Sequence, residues 1–237
     1  MDNFIQRFSV NTLGTDYAVG DIHGSFSRLQ QELDLIDFDS NKDRLFSLGD
    51  LIDRGPESEL ALEWLNKPWF HAIQGNHEAM LLEVNPDDKH WRCTDHFNNG
   101  GEWFYDLTKE KQQEFRNYFK KMPYIIQVQT RAGDVGLVHA DFPHQDWRIL
   151  EKMPVTALDL YHYQWSRERI NQPNLFPIDN IRAVIHGHTP VYGMVVMNNI
   201  YYIDTAGWLG GDGHFTLLNL DTLQPANPAA QQAFITQ

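Results

Sequence analysis

Cysteine is nearly absent from this chain of 237 residues: Cys93 stands alone. No intrachain disulfide can form, and a single unpaired thiol is the usage expected in a reducing compartment, here the cytoplasm. Long apolar runs are also missing. Nothing approaches the ~18 apolar residues that mark a membrane span. Met1 to Asp16 carries no apolar stretch behind a basic cluster, so no secretory signal is expected. Positive charge is scarce, with 19 Lys and Arg against 32 Asp and Glu and a formal net charge of −13. No dense Lys/Arg block offsets this, so neither nucleic acid nor an acidic membrane is an expected partner. An acidic protein that handles phosphate needs local positive charge, which bound metal ions would supply.

What is present is an ordinary globular composition. Hydrophobic residues make up 42% of the chain, enough for one substantial core. With no internal repeat and no long linker, a single domain over 1–237 is expected, its core at about 16–220 and its polar 225–237 tail frayed. The first half alternates strand, turn and helix. Asp16 to Val19, Arg44 to Leu48 and Trp69 to Ile73 are β-prone, and each runs into a Gly-containing turn. Helices are expected over Ser25 to Ile36, Pro56 to Leu65 and His77 to Leu82, the first with Phe26, Leu29, Leu33 and Ile36 at helical spacing. Asn85 to Gly101 reads as a loop or short helix, and Thr108 to Lys121 as an amphipathic helix. Strands follow at Tyr124 to Gln129, Val135 to His139, Arg182 to Ile185, Met194 to Met197, Ile200 to Ile203 and His214 to Leu220. The pattern predicts an α/β (α+β) fold with two sheets decorated by helices.

Five short segments stand at predicted strand ends: Gly20-Asp21-Ile22-His23-Gly24, Gly49-Asp50-Leu51-Ile52-Asp53-Arg54-Gly55, Gly75-Asn76-His77-Glu78, Val138-His139-Ala140-Asp141 and Gly187-His188-Thr189-Pro190. Strand ends are where ligands gather in α/β layers. The donors are oxygen and imidazole with no thiolate, a set that suits Mn, Fe or Zn. Asp21 and His23 are two apart, so an extended strand points both the same way. Asp50, with two carboxylate oxygens, can bridge two ions, and Asn76, His139 and His188 would complete the second. One Gly-Asp pair alone is as easily a turn. Five compatible segments in one chain are a much stronger signal.

The set GDIHG, GDLIDRGP, GNHE, VHAD and GHTP closely resembles the phosphoprotein phosphatase branch of the metallophosphoesterases, above all the bacterial and bacteriophage lambda-type Ser/Thr protein phosphatases. The likeness runs from about Asp16 to about Leu220 and takes in Phe97-Asn98-Asn99-Gly100-Gly101-Glu102-Trp103-Phe104 and Trp165-Ser166-Arg167-Glu168-Arg169. It implies the calcineurin-like fold, a two-sheet β-sandwich flanked by helices, with two divalent ions above one sheet edge. Manganese is the first expectation, with iron or zinc acceptable. Carried over, the first metal site falls on Asp21, His23 and Asp50, and the second on Asp50, Asn76, His139 and His188. Arg54, Arg167 and Asn76 would bind the substrate phosphate, and His77 with Asp53 would form the acid–base pair. The implied reaction is hydrolysis of phosphorylated proteins or peptides, and of small phosphate monoesters, by a metal-bridging hydroxide attacking in line. Ser25 replaces the cysteine usual after the first motif in bacterial relatives, and Asp204-Thr205-Ala206-Gly207 inverts the familiar Asp-Thr-Gly-Ala order.

Plainer readings stand beside these. Asp53 can cap the following helix, and Arg167 can pair with Glu168 on a solvated face. His186 reads as a core residue, and His90, His96, His144 and His162 as surface or loop residues. Trp64, Trp69, Trp103 and Trp147 read as packing. Glu78 and Asp141 read as partners that orient ligating groups. Rival functions are a dinucleoside polyphosphate hydrolase on the same scaffold and, from another class, a metal-free binding scaffold.

Overall fold

The computed structural model describes residues 4–85, 87, 91–172, 176–211 and 213–235. In chain order its strands are β1 (Ile5–Phe8), β2 (Asp16–Val19), β3 (Arg44–Ser47), β4 (Phe70–Ala72), β5 (Ile125–Thr130), β6 (Gly133–Val138), β7 (Ala183–His186), β8 (Val195–Met197), β9 (Ile200–Tyr202), β10 (Leu218–Asn219) and β11 (Gln224–Pro225). They form a six-stranded sheet in the order β1-β5-β6-β7-β9-β8 and a five-stranded sheet in the order β11-β10-β2-β3-β4. No described helix is long and apolar enough to cross a membrane.

Successive side chains of a strand point to opposite faces, and burial here follows that alternation. Ala18, Phe46 and Leu218 of one sheet share a core with Ile126, Val128, Leu137 and Ile185 of the other. Their neighbours Tyr17, Val19 and Leu45 point outward, where Phe26, Leu29 and Leu33 of helix Phe26–Leu35 and Phe115 and Phe119 of helix Lys109–Phe119 cover them. On the far side Ile125, Val138, Val184 and Ile200 pack with Phe142, Trp147 and Tyr163. Each such large side chain contributes roughly 1.5–3 kcal/mol on full burial. The layers are therefore helix, sheet, sheet, helix, as expected.

Several local expectations need correction. β1 lies outside the strands expected from the sequence because Gln6 and Arg7 interrupt its apolar residues; it is an edge strand, half-buried only at Ile5 and Phe8, paired in parallel with β5. The run from His214 to Leu220 pairs as a strand only at Leu218–Asn219, with an isolated bridge between Ala206 and His214. Its apolar residues are buried by side-chain packing and not by a ladder. Helix Ala157–Trp165 went unanticipated, although Thr156 and Asp159 form a reciprocal capping box at its start. As one of the two readings expected, the 85–101 stretch does hold a short helix, Trp91–His96, which runs on into a π-helical turn, Phe97–Gly101. The tail expected to fray contains helix Pro228–Ile235. Asn227 anchors it, donating to Glu32 and to the Phe215 carbonyl and accepting from Leu217 N.

One histidine outside any metal constellation couples the sheets. His71 of β4 sits opposite Phe46 of β3 in register, and its ring lies 4.4 Å from Phe8 and 5.2 Å from Phe46. Burial first, then the nearby Arg44 guanidinium, lowers its pKa from 6.5 to about 4, with Asp16 opposing. The unfolded chain therefore takes up this proton before the native one does. The associated stability is complete above about pH 6.5 and is lost as pH falls towards 4, on the order of 2–3 kcal/mol in all. Denaturant midpoints at pH 7.5 and 4.5 are expected to differ less for His71→Phe than for the native chain. Equal acid sensitivity in the two proteins would contradict this.

Candidate metal centre

β2, β3 and β4 run parallel, as do β6, β7 and β9. Each group therefore delivers its carboxyl ends to one rim of its sheet, and the residues that follow those ends meet. Asp21, His23, Asp50, Asn76, His139 and His188 come together there, none more than 6% exposed. The backbone is strained at this point. His23, Asp50, Asp53, Arg54 and His188 adopt φ of 44°, 50°, 71°, 67° and 63°, the left-handed region that costs non-glycine residues of order 1–3 kcal/mol each. Asp21 and His23 consequently do not share an extended strand: β2 ends at Val19, and a turn brings the two side chains together.

Glu78 holds the central turn. Its carboxylate accepts from Gly75 N at 2.8 Å, Asp50 N at 3.0 Å and Leu51 N at 2.8 Å. Burial and the neighbouring Asp50 push its pKa up to about 8 against those donors. A Cβ on Gly75 would lie 2.2 Å from Asp50 Oδ1, so only glycine allows this approach.

The tautomers make the cluster an acceptor trap. His139 Nδ1 donates to Leu48 O at 2.6 Å, which leaves Nε2 unprotonated, 2.9 Å from Asn76 Oδ1 and 3.5 Å from Asp50 Oδ1. His188 Nε2 donates to Trp165 O at 3.1 Å, leaving Nδ1 bare at 2.8 Å from the same Asn76 oxygen. His23 Nδ1 donates to Ile52 O at 2.8 Å, and its Nε2 faces Asp50 Oδ2 at 3.7 Å and Asp21 Oδ2 at 3.8 Å. Protonation offers no relief. Burial, followed by the charge of a neighbouring histidine, lowers His23 and His188 to about 3, and burial lowers His139 as well. Around Asn76 Oδ1 the lone pairs of His139 Nε2 and His188 Nδ1 thus converge with no proton between them, an arrangement that a cation would convert from repulsion into coordination.

The carboxylates agree. Burial, then Asp204 and Asp50, raises Asp21 well above its ordinary range. Burial raises the pKa of Asp204 to about 6, and its Oδ2 has no hydrogen-bond partner among the described residues. Burial also opposes ionisation of Asp50, but His139, His77, His23 and His188 together hold it below the usual value. Asp50 is common to two groups of close donor atoms, His23–Asp50–His77 and Asp50–His139–His188. Its Oδ2 faces one and its Oδ1 the other. Oxygen and imidazole donors, with His23, His139 and His188 each oriented by a backbone carbonyl, fit a pair of divalent cations.

The pattern that defines the calcineurin-like phosphoesterases matches residues 17–192, most of the chain. The chain belongs to that family. It is 35% identical over 216 residues to the Salmonella typhimurium serine/threonine-protein phosphatase 1, covering 89% of this chain and 94% of that one. It is 45% identical over 71 residues to the symmetrical bis(5'-nucleosyl)-tetraphosphatase of Chromobacterium violaceum, covering 29% and 26% of the two chains. Among solved structures, a provisionally assigned diadenosine tetraphosphatase superposes with a TM-score of 0.65 at 19% identity, over 93% of this chain and 95% of that one. A Saccharomyces cerevisiae protein serine/threonine phosphatase with similarity to human PP5 superposes with a TM-score of 0.60 at 15% identity, over 92% and 77%. These two likenesses bear on the fold alone.

Around the candidate metal centre of this metallophosphoesterase the structure gathers further groups. His77 Nδ1 donates to Asp53 Oδ2 at 2.7 Å, and its Nε2 lies 3.9 Å from Asp50 Oδ2. Burial works against the imidazolium, but Asp50 and Asp53 outweigh it and raise the pKa of His77. Arg54 NH1 donates to His23 Nε2 at 3.0 Å, and its guanidinium lies 4.7 Å from the Trp208 ring. Arg167 NH2 reaches the His188 carbonyl at 3.4 Å. Both arginines are exposed beside the centre.

Three residues escaped the sequence reading. His96, expected at the surface, is fully buried, with Nε2 3.3 Å from Asp53 Oδ2 but off the line of a hydrogen bond. Trp103, expected only to pack, donates from Nε1 to Asp53 Oδ1 at 2.8 Å. Trp208 stands edge-on to His23, ring centres 4.8 Å apart. The glycine pair after His96 was the available signal: a Cβ on Gly101 would lie 2.4 Å from the His96 ring. Asp141 pairs with Arg169 Nε at 3.2 Å instead of orienting a ligand. His186 is core, its Nδ1 donating to the Val138 carbonyl at 2.9 Å. His144 pairs with Asp159 at 2.9 Å, His162 is half-buried, and His90 lies outside the described residues. In the inverted motif, Ala206 takes φ 54°, held by its N–H to Asp204 Oδ1.

Because Asp50 belongs to both donor groups, Asp50→Ala is expected to lose both ions, whereas His188→Ala keeps one. Elemental analysis of dialysed protein reads this directly. Two ions retained by the Asp50 variant would rule out a shared carboxylate.

Proposed function

We propose that this phosphoesterase hydrolyses phosphate monoesters on proteins or peptides, phosphoserine and phosphothreonine first, with phosphotyrosine within its reach. The observation that carries the chemistry is the buried set of unprotonated donors fused at Asp50, with the His77–Asp53 pair at its edge. Asp21, His23 and Asp50 would hold one divalent cation and Asp50, Asn76, His139 and His188 the other, manganese before iron or zinc. Bound there, the pair would supply positive charge to the phosphoryl oxygens and lower the pKa of an attacking water from ~15.7 towards ~7.

The chain's own residues do the rest. Arg54 and Arg167 offer planar, forked donors to the non-bridging phosphate oxygens, and the stack on Trp208 fixes where Arg54 stands. Asn76, at the centre, can reach the same phosphate. Water attacks phosphorus opposite the ester oxygen, and no covalent phosphoenzyme is needed. His77, its Nδ1 tied to Asp53, presents Nε2 to the leaving alkoxide and gives it a proton. The raised pKa of His77 favours the imidazolium that this step requires.

The choice of a protein substrate rests on extent. Likeness to the Salmonella phosphatases runs along 89% and 84% of this chain, whereas likeness to symmetrical tetraphosphatases runs along 29% of it for the Chromobacterium enzyme and 58% for that of Coxiella burnetii. The shorter, stronger Chromobacterium match over the shared scaffold favours diadenosine tetraphosphate as the second reading. A cytoplasmic setting belongs with the first, since Cys93 is the only thiol.

With manganese supplied, a phosphoserine peptide is expected to show the larger kcat/KM and diadenosine tetraphosphate the smaller; the reverse order would favour the second reading. No turnover of either, or of an aryl phosphate, would return the chain to the binding scaffolds. His77→Asn is expected to slow alkyl phosphates by ~100- to 10,000-fold while metal content stays the same. Undiminished turnover would remove His77 from the mechanism.

A further inference from the structure

The segment Phe97 to Phe104 carries no chemistry in the mechanism above, yet it wraps the Asp53–Arg54 turn. Both turn residues are left-handed, with φ 71° and 67°, a conformation the surroundings must impose. Arg54 N donates to Gly100 O at 3.2 Å. Gly100 can come so close because it is left-handed itself, at φ 93°, and has no Cβ; one placed there would lie 2.3 Å from Arg54 N. Asp53 N donates to Ser58 Oγ at 2.9 Å. The backbone of the turn is thereby pinned on both sides.

The Asp53 carboxylate is pinned as well. It is fully buried, and its two oxygens have different partners: Oδ2 accepts from His77 Nδ1 at 2.7 Å and Oδ1 from Trp103 Nε1 at 2.8 Å. Held by His77 alone, a carboxylate can pivot about that bond and carry the imidazole with it. A second donor on the other oxygen fixes its plane. Trp103 is rigid enough to serve, since its ring packs edge-on against Phe115 at 5.0 Å and against Phe104 at 5.8 Å. The bland alternative is an indole N–H that merely finds a partner, as buried indoles usually do.

We propose that Trp103 is a positioning residue that acts through Asp53, fixing the direction in which His77 presents its proton to the leaving oxygen. This rests on the acid role given to His77 above. Misplacement of about 1 Å is enough to cost a reacting group much of its advantage. The consequence is specific: Trp103 matters only when the leaving group needs the proton.

The test compares the manganese-loaded native enzyme, His77→Asn and Trp103→Phe on a phosphoserine peptide and on 2,4-dinitrophenyl phosphate, whose leaving group departs unprotonated. Phenylalanine keeps an aromatic ring against Phe115 and removes the N–H. Both variants are expected to lose kcat on the peptide, Trp103→Phe by about 10- to 100-fold, the worth of a hydrogen bond to a charged group. KM should hold, and dinitrophenyl phosphate should be turned over nearly as by the native enzyme. If His77→Asn is selective in this way but Trp103→Phe loses both substrates equally, or neither, the positioning role is overturned and the acid role stands. A His77→Asn enzyme that slows both substrates alike removes both ideas. Should Trp103→Phe unfold early in a thermal melt, Trp103→benzothienylalanine, which replaces only the N–H with sulfur, takes its place under the same outcomes.

Discussion

Buried acceptors repel unless something positive separates them, and the rim of this sandwich is built around that repulsion. Asn76 Oδ1 lies within 2.9 Å of two bare ring nitrogens, from His139 and His188. Asp50 stands between these and His23 with one oxygen turned each way. None of the six donors is more than 6% exposed. Cations bound here would relieve this crowding and stabilise the native state in proportion to their affinity, which would couple metal binding and fold stability through one carboxylate. The rest of the architecture serves to keep that carboxylate where it is. Glu78 grips the backbone of Asp50 and Leu51, Gly75 gives way to it, and left-handed residues on both sides accept the strain.

Two sheets are needed because the donors come from both. Asp21, Asp50 and Asn76 follow β2, β3 and β4, while His139 and His188 follow β6 and β7. The core shared by Ala18, Phe46, Leu137 and Ile185 sets the distance between these rims. Packing deep in the sandwich therefore bears directly on chemistry at its edge. The flanking helices contribute differently: they cover the outer faces, and the chain around Gly100 and Trp103 brings a second layer of contacts onto Asp53 and Arg54.

Much of this was legible in the sequence, for identifiable reasons. Parallel strands buried on both faces leave short β-prone runs such as Asp16–Val19 and Arg44–Ser47, and a metal site at their ends leaves Asp, Asn or His immediately after them. That is why the six donors, His77 and the layered fold were readable together. β1 was not, because an edge strand can carry Gln6 and Arg7 without losing its ladder. Helix Ala157–Trp165 announced itself only through Thr156 and Asp159. His96 and Trp103 were illegible for a deeper reason. What they do is decided by Asp53, more than 40 positions earlier in the chain, and no local pattern tells an indole that packs from one that also donates. Asp21 and His23 do come together, but by a turn and not by an extended strand, since left-handed φ at His23 is set by tertiary contacts.

Anomalous diffraction from crystals grown with manganese tests the central claim most directly. Two peaks are expected to flank the Asp50 carboxylate, one beside Asp21 and His23 and the other beside Asn76, His139 and His188. A single peak, or peaks away from Asp50, would contradict it.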